Sequence, residues 1–597
     1  MSTRAHAQIR RSQAITTWGP GALIDLPRHS GIVGGLETWS KVDVLDEITD
    51  PRLTRKISRL TDVPTPRLYA PPAASTAPGE PARGIGVWRF PEWMLVQEDS
   101  AGDVNERSRR LVHRKFLDEK GRFDGRQVVP TRFVRACPRG HIADLDWHRF
   151  VHGPEDGCKR QLRLHERGTG GDLADLEVRC ECGKSRRMSE AAELDMKPLG
   201  LCWGPRPWLG ADSQEQCGLP SRLLIRTAAN AYFPQVMSVL SLPEHGTQLD
   251  DAVRELWDDL QIVEDSADLG VMKKKPKVAT KLAGHSDKEI LDAIARLKHG
   301  DSQEQPVKLV ELDALLAAPV GYGDDVPINP DFHARRLPES AWRVGSLTDP
   351  AAAVVQLHRL REVLALIGFT RFDAITPDIH GEYDSDVQRA ELALDPQWFP
   401  AIENRGEGIF IQLDSVAVAA WLARRAVIDR LDELVAGHAK WTDRRKIQRP
   451  FPSGPYVLLH TLSHLLLQSV AMRCGYPASS IRERIYVDAE SGRFGLLLYT
   501  ASSDAEGTLG GLVTQARHIG SHLAVALRAG GLCSNDPVCA QHSPGEGMEG
   551  RWLHGAACHG CALIAETSCE MRNDYLDRAL VVPTLAVPGA AFFPPVP

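Results

Sequence analysis

Hydrophobic and polar positions change their period several times along the chain, and each change predicts a different kind of element. Over residues 15–40 short apolar runs are broken by Gly and Pro, which predicts short strands and turns; QVVPTRFVRA (127–136) reads as a further strand. Residues 64–85, rich in Pro, Ala and Ser, predict a surface loop or linker. The segment SRLLIRTAANAYFPQVMSVLSLP (221–243) fits either a strand pair or a strand and a turn. From about 245 to 315 the spacing becomes helical, as in LDDAVRELWDDL and DKEILDAIARLKHG, with Lys273, Lys274, Lys275 and Lys277 forming a basic hinge between them.

Further along, VAVAAWLARRAVIDRLDELVAGHAKW (416–441) carries a long amphipathic helical pattern. YVLLHTLSHLLLQSVAMRCG (456–475) is apolar on nearly every face until Gly475 supplies a stop, which predicts the central helix of a C-terminal core. The strand-like ERIYVD and RFGLLLYT, a loop and the helical GGLVTQARHIGSHLAVALRAGG then predict an α/β arrangement. The expected fold is mixed α/β (α+β) and multidomain, with two cysteine-rich zinc modules. Its expected divisions are an N-terminal mixed region (1–130), a zinc-binding module with strands (131–245), a mainly helical region (246–350), a mixed region holding the long amphipathic helix (351–455) and a C-terminal α/β domain (456–597).

Composition narrows the function classes. A chain of 597 residues, 43% hydrophobic and 25% charged, can bury several cores. It has no apolar run of membrane-spanning length and no apolar signal core near its start, so a cytoplasmic protein is expected. A formal net charge of -7 excludes a general polycation, so any nucleic-acid contact has to come from local basic surface. Twelve cysteines in such a chain favour reduced thiolates on metal over a disulfide framework.

All the cysteines but Cys474 fall into two groups. The first runs Cys137-Pro-Arg-Gly-His141, Cys158, Cys180-Glu-Cys182-Gly, then Cys202 and Cys217. Zn2+ takes four thiolate or imidazole ligands in a tetrahedron, and a Cys-x3-His knuckle with a Cys-x-Cys turn supplies four: Cys137, His141, Cys180 and Cys182. Cys202 and Cys217 either form a further site or pack in a core. The second group is Cys533, Cys539, the knuckle Cys558-His-Gly-Cys561, and Cys569. Five cysteines compete for four places; Cys539, Cys558, Cys561 and Cys569 are the preferred set, with Cys533 as the spare. Neither group has a Glu base beside an open position, so both read as structural.

Other catalytic patterns are incomplete. No G-x4-G-K-[ST] phosphate loop occurs anywhere in the chain, so it is not expected to turn over ATP or to be an enzyme. His460 and His464 are spaced like a zincin pair, but Thr461 stands where that motif needs Glu, and two satisfied core histidines are the expectation. The loop 500–512, with Asp504, Gly510 and Gly511, could hold an anion, although a ligand-free turn is the plainer reading. A stand-alone hydrolase or nuclease using His460/His464 or the Asp504 region is the competing function. Three basic segments could meet phosphate: Arg107, Arg109, Arg110, Arg114 and Lys115; the 273–277 lysines; and Arg444, Arg445, Lys446 and Arg449 beside Trp441. The third is preferred, because an aromatic beside guanidinium groups could stack on an unpaired base.

Several blocks together carry a resemblance: RRSQAITTWGPGALIDLP, SRLLIRTAANAYFPQVMSVLSLP, LLHTLSHLLL, YTASSDAEGTLGGLV and CHGC…C…RNDYLDRAL. In this order they resemble the DrmB family of DISARM anti-phage components, and the C-terminal third is similar to the zinc-binding domain at the end of several DNA helicases. The resemblance implies a non-motor DNA-binding and scaffold subunit that associates with a separate DrmA-like helicase in recognising foreign DNA, as restriction-modification systems do. It also implies that the final cysteines are zinc ligands.

Overall fold

In the computed structural model, residues 7–596 are described except 27–28, 41–44, 74–83, 98–105, 169–170, 194, 243–248, 250–251, 254, 299–304, 324, 328, 501–510 and 546–550. The chain forms two compact units. The first comprises residues 1–239, 363–377 and 383–403, and the second 240–362, 378–382 and 404–597. These units cut across the five expected divisions, because two long strands, Ala351–Thr370 and Trp398–Leu413, each contribute residues to both.

The first unit is mostly antiparallel sheet. A six-stranded sheet runs in the order Ser185–Arg187, Leu176–Cys180, Leu162–Arg167, Glu106–His113, Trp93–Val96, Val128–Pro130. Alternation makes it one-sided: Leu162 and Leu164, and Leu176 and Val178, point into a core with Trp147, Phe150 and Met188, while Arg163 and Arg179 face outward. The predicted 127–136 strand is two short ones, Val128–Pro130 and Phe133–Ala136, in different sheets. Residues 221–243 also hold two strands, Arg222–Ile225 and Phe233–Leu240, which belong to different sheets rather than to one hairpin.

The second unit is organised by the predicted apolar helix, Gly454–Cys474. Its Leu458, Leu462, Leu466 and Val470 lie in one core with Ile485 and Val487 of Ile481–Asp488 and Leu496 and Leu498 of Arg493–Thr500. Those two strands pair antiparallel, and Arg493–Thr500 also pairs antiparallel with Gly408–Leu413. Pro455 suits the first turn, and Gly475 closes the last at φ 71°, where L-residues are strained. Gly454 permits close approach of a neighbouring helix, since a Cβ there would lie 2.6 Å from Leu431 Cδ1. The expected helix over 416–441 is broken into Ser415–Leu422 and Arg425–Arg445. The described residues between 257 and 316 hold the helices Trp257–Leu260, Ser266–Met272, Pro276–Lys281, Asp287–Lys298 and Val307–Leu316; of the lysine hinge, Lys273 and Lys275 cap the second and third of these, and Lys277 lies inside the third. Among the described residues no helix is long and apolar enough to cross a membrane.

Candidate metal centres

Among the described residues, four sets of side chains bring four donor atoms within 4.8 Å of one another. Three are dominated by cysteine. Cys137 follows the strand Phe133–Ala136 and opens a tight turn closed by the Gly140 N–H on the Cys137 carbonyl (3.0 Å), which returns His141 beside it. Their partners are Cys202 and Cys217, with Cys137 Sγ 3.3 Å from His141 Nδ1 and 3.8 Å from Cys217 Sγ. His141 Nε2–H donates to Glu215 Oε1 at 2.7 Å, which fixes the tautomer and turns Nδ1 to the sulfurs. Gly204 (φ 82°) donates its N–H to Cys202 Sγ at 3.3 Å; a Cβ there would lie 1.7 Å from the Glu215 carbonyl oxygen.

The second set is His152, Cys158, Cys180 and Cys182. His152 ends the Trp147–His152 helix, and its Nδ1–H donates to the His148 carbonyl at 2.9 Å, leaving Nε2 to face Cys182 Sγ at 3.3 Å. Cys158 and Cys180 bring their sulfurs to 3.7 Å. Gly183, at φ 98°, makes the turn that carries Cys180 and Cys182.

The third set is Cys533, Cys539, Cys558 and Cys561, with sulfur separations of 3.4 Å (Cys533–Cys558), 3.7 Å (Cys558–Cys561) and 3.8 Å (Cys539–Cys561). Backbone N–H groups of Asn535 and Gly560 donate to Cys533 and Cys558 Sγ at 3.4 and 3.3 Å, as in metal-thiolate knuckles. In each of these three sets one thiol is shifted toward thiolate. Hydrogen bonding from Cys137 takes Cys202 down to about 4, the Lys184 backbone and His152 take Cys182 down to about 6, and Cys561 takes Cys539 down to about 5. Sulfur and imidazole donors at these separations match the tetrahedral zinc donor set.

All eight residues expected as ligands lie in such sets, but the grouping differs. Cys137 and His141 do not meet Cys180 and Cys182; each knuckle completes its own centre with Cys202 and Cys217, or with His152 and Cys158. Cys533 takes the place expected for Cys569, because Cys569 lies instead 3.1 Å from His460 Nε2. His460 and His464 are fully buried, so the hydrolase reading has no exposed pair to use. Asp504 and Gly510 lie outside the described residues; Gly511 is described, and its carbonyl accepts from Thr514 Oγ1 at 3.0 Å.

Of the basic segments, the first is largely neutralised by Arg109–Glu166 (2.6 Å), Arg110–Asp124 (2.8 Å) and Arg114–Glu92 (2.5 Å). In the second, Lys273 and Lys275 pair with Asp287 and Asp259. Arg444 and Arg445 end the Arg425–Arg445 helix, exposed with Lys446, while Arg449 is half-buried. Arg445 lies 5.1 Å from the Trp441 ring centroid and Arg444 5.1 Å from that of Trp552, so a cation already covers the aromatic that was expected to meet a base.

Two family matches accompany this geometry. Residues 10–233 match a domain of unknown function (DUF8724), and residues 462–562, which include the third centre, match the MrfA Zn-binding domain. Over 490 residues the chain is 32% identical to DISARM protein DrmB of Bacillus paralicheniformis, covering 78% of this chain and 83% of that protein.

Proposed function

Because the chain belongs to the DrmB family of DISARM proteins, we propose that it is the non-motor subunit of an anti-phage complex and works beside a separate DrmA-like helicase. The observation that carries this reading is the 32% identity over 78% of the chain. The sequence lacks a phosphate loop, which fits a division of labour in which the partner supplies ATP turnover. Three zinc-type centres, two in the first unit and one in the second, suit a rigid binding platform more than a catalyst, since each has four protein donors and no place kept for water or substrate.

DNA contact belongs to the same reading and rests on the Arg444–Lys446 helix end. Arg444 and Lys446 are exposed and make no ion pair among the described residues, so they can meet phosphate without breaking an existing bridge. Co-expression with a DrmA-like helicase, followed by size exclusion and DNA binding, tests the proposal. A stable complex is expected whose ATP turnover survives in the absence of any hydrolysis by this chain alone. The pair R444A/R445A is expected to lower the salt slope of DNA binding by about 1.5 to 2 units. ATP hydrolysis or DNA cleavage by the purified chain, lost on changing His460 or Asp504, would contradict the reading.

A further inference from the structure

The fourth convergent set lies at the centre of the second unit, outside the cysteine centres, and His460 and Cys569 lie beyond the matched zinc-domain residues. It joins three pieces of chain: His460 and His464 from the Gly454–Cys474 helix, Glu483 from the Ile481–Asp488 strand, and Cys569 from the segment after the last knuckle. The two histidines are one helical turn apart, so both imidazoles leave the same face. His460 Nε2 is 3.0 Å from Glu483 Oε1 and 3.1 Å from Cys569 Sγ, and His464 Nε2 is 3.2 Å from the same carboxylate oxygen. Both histidines are wholly removed from solvent, Glu483 is 3% exposed and Cys569 8%.

The hydrogen bonds around these atoms say what belongs between them. The Ala562 carbonyl, 2.8 Å from His464 Nδ1, can only accept, so Nδ1 carries the hydrogen and a neutral imidazole has a bare lone pair on Nε2. That lone pair points at a carboxylate oxygen, an arrangement that is repulsive unless a proton or a metal cation lies between them. Ser463 Oγ–H donates to the other oxygen, Glu483 Oε2, and holds the carboxylate with Oε1 turned inward. The Asn573 N–H donates to Cys569 Sγ at 3.1 Å, as amides do to metal-bound thiolates. A tetrahedral zinc ion with nitrogen, oxygen and sulfur ligands sets donor atoms about 3.3 to 3.8 Å apart. The separations of 3.0, 3.1 and 3.2 Å need to lengthen by only a few tenths of an ångström to accept one, and the four donor atoms all lie within 4.8 Å of one another.

We infer that His460, His464, Glu483 and Cys569 form a fourth zinc site, closed and structural, that fastens the C-terminal segment to the central helix and its neighbouring strand. The donor set has borderline softness, mixing imidazole, carboxylate and thiolate, which selects zinc-class ions over magnesium or calcium. Four protein ligands and near-complete burial leave no position for a reacting water, so the site is not hydrolytic despite the zincin-like spacing.

Anomalous diffraction from crystals of the wild-type full chain, grown from zinc-supplemented expression and recorded above and below the zinc edge, tests this without any folding variant. A peak among His460 Nε2, His464 Nε2, Glu483 Oε1 and Cys569 Sγ that appears only above the edge is expected. No peak there, with peaks at the cysteine centres, would overturn this inference alone; a peak unchanged across the edge would overturn the zinc assignment. In solution, H464Q is expected to lose one zinc per chain by elemental analysis, and a soluble H464Q that keeps the wild-type count would also overturn it.

Discussion

In the centre around Cys558 the ligands ride on tight turns and the sulfurs are drawn together by local backbone N–H groups, whereas around His460 they come from a helix, a strand and a distant segment. The first arrangement is assembled mostly within one short stretch of chain, around a small apolar cluster of Ala557, Ala562 and Leu576. The second exists only after the helix has packed against its sheet. The two therefore differ in what metal does: in the cysteine centre it ties together turns that have only a small apolar cluster behind them, while in the histidine set it joins pieces that the large core has already brought close.

The largest effect that separates them is expected at Cys558. Structural zinc in small cysteine modules contributes on the order of 10–16 kcal/mol of folding free energy. C558S is expected to unfold the segment around Cys533–Cys561, with a loss of soluble yield and early proteolysis there. Soluble C558S with an unaltered digestion pattern would show that the turns stand without metal.

A metal-free tie to the same segment sharpens the contrast. Arg430 Nε donates to Asp577 Oδ2 at 2.6 Å with both side chains buried, and Asp577 Oδ1 accepts from the N–H groups of Ala556 and Ala579 at 2.9 and 3.0 Å. Breaking such a pair from one side costs about 3–5 kcal/mol. D577A is expected to lower the denaturant midpoint accordingly while the metal count stays the same. A fall in bound zinc would mean that this bridge and the centre are one cooperative unit.

Acid is the next, smaller lever. Burial pushes the His522 imidazole down to about 4, with Ser469 and Gln515 at 3.1 Å on either side. The unfolded chain takes up that proton near pH 6.5 and the folded chain does not. The stabilising contribution is therefore complete above about pH 6.5 and declines as pH falls toward 4, by at most about 1.4 kcal/mol per pH unit. Denaturation midpoints between pH 7 and 5 should fall less steeply in H522Q than in the wild type. Smallest of all is C474S: this half-buried thiol belongs to none of the four sets, and its loss is expected to cost about 1 kcal/mol or less with no change in bound metal.

Much of this was legible in the sequence, for identifiable reasons. The Gly454–Cys474 helix announced itself by length and by Gly475, and the knuckles by Gly140, Gly183 and Gly560 beside their cysteines. The partners within each centre did not, because Cys137 meets Cys217 eighty residues away, beside the pairing of Phe133–Ala136 with Arg222–Ile225. His152 and Glu483 carried no spacing signal; one ends a short helix and the other sits mid-strand among buried residues. The strand Ala351–Thr370 escaped for a related cause. It is buried on both faces over most of its length, so it lacks the apolar–polar alternation by which a half-exposed strand is recognised.

Native mass spectrometry of the full chain, compared with the same sample after acid denaturation, tests most directly whether zinc organises both units. The account predicts that the compact charge states carry a mass excess of four zinc ions per chain and that the excess is lost together with compactness. Compact charge states at the metal-free mass would contradict it.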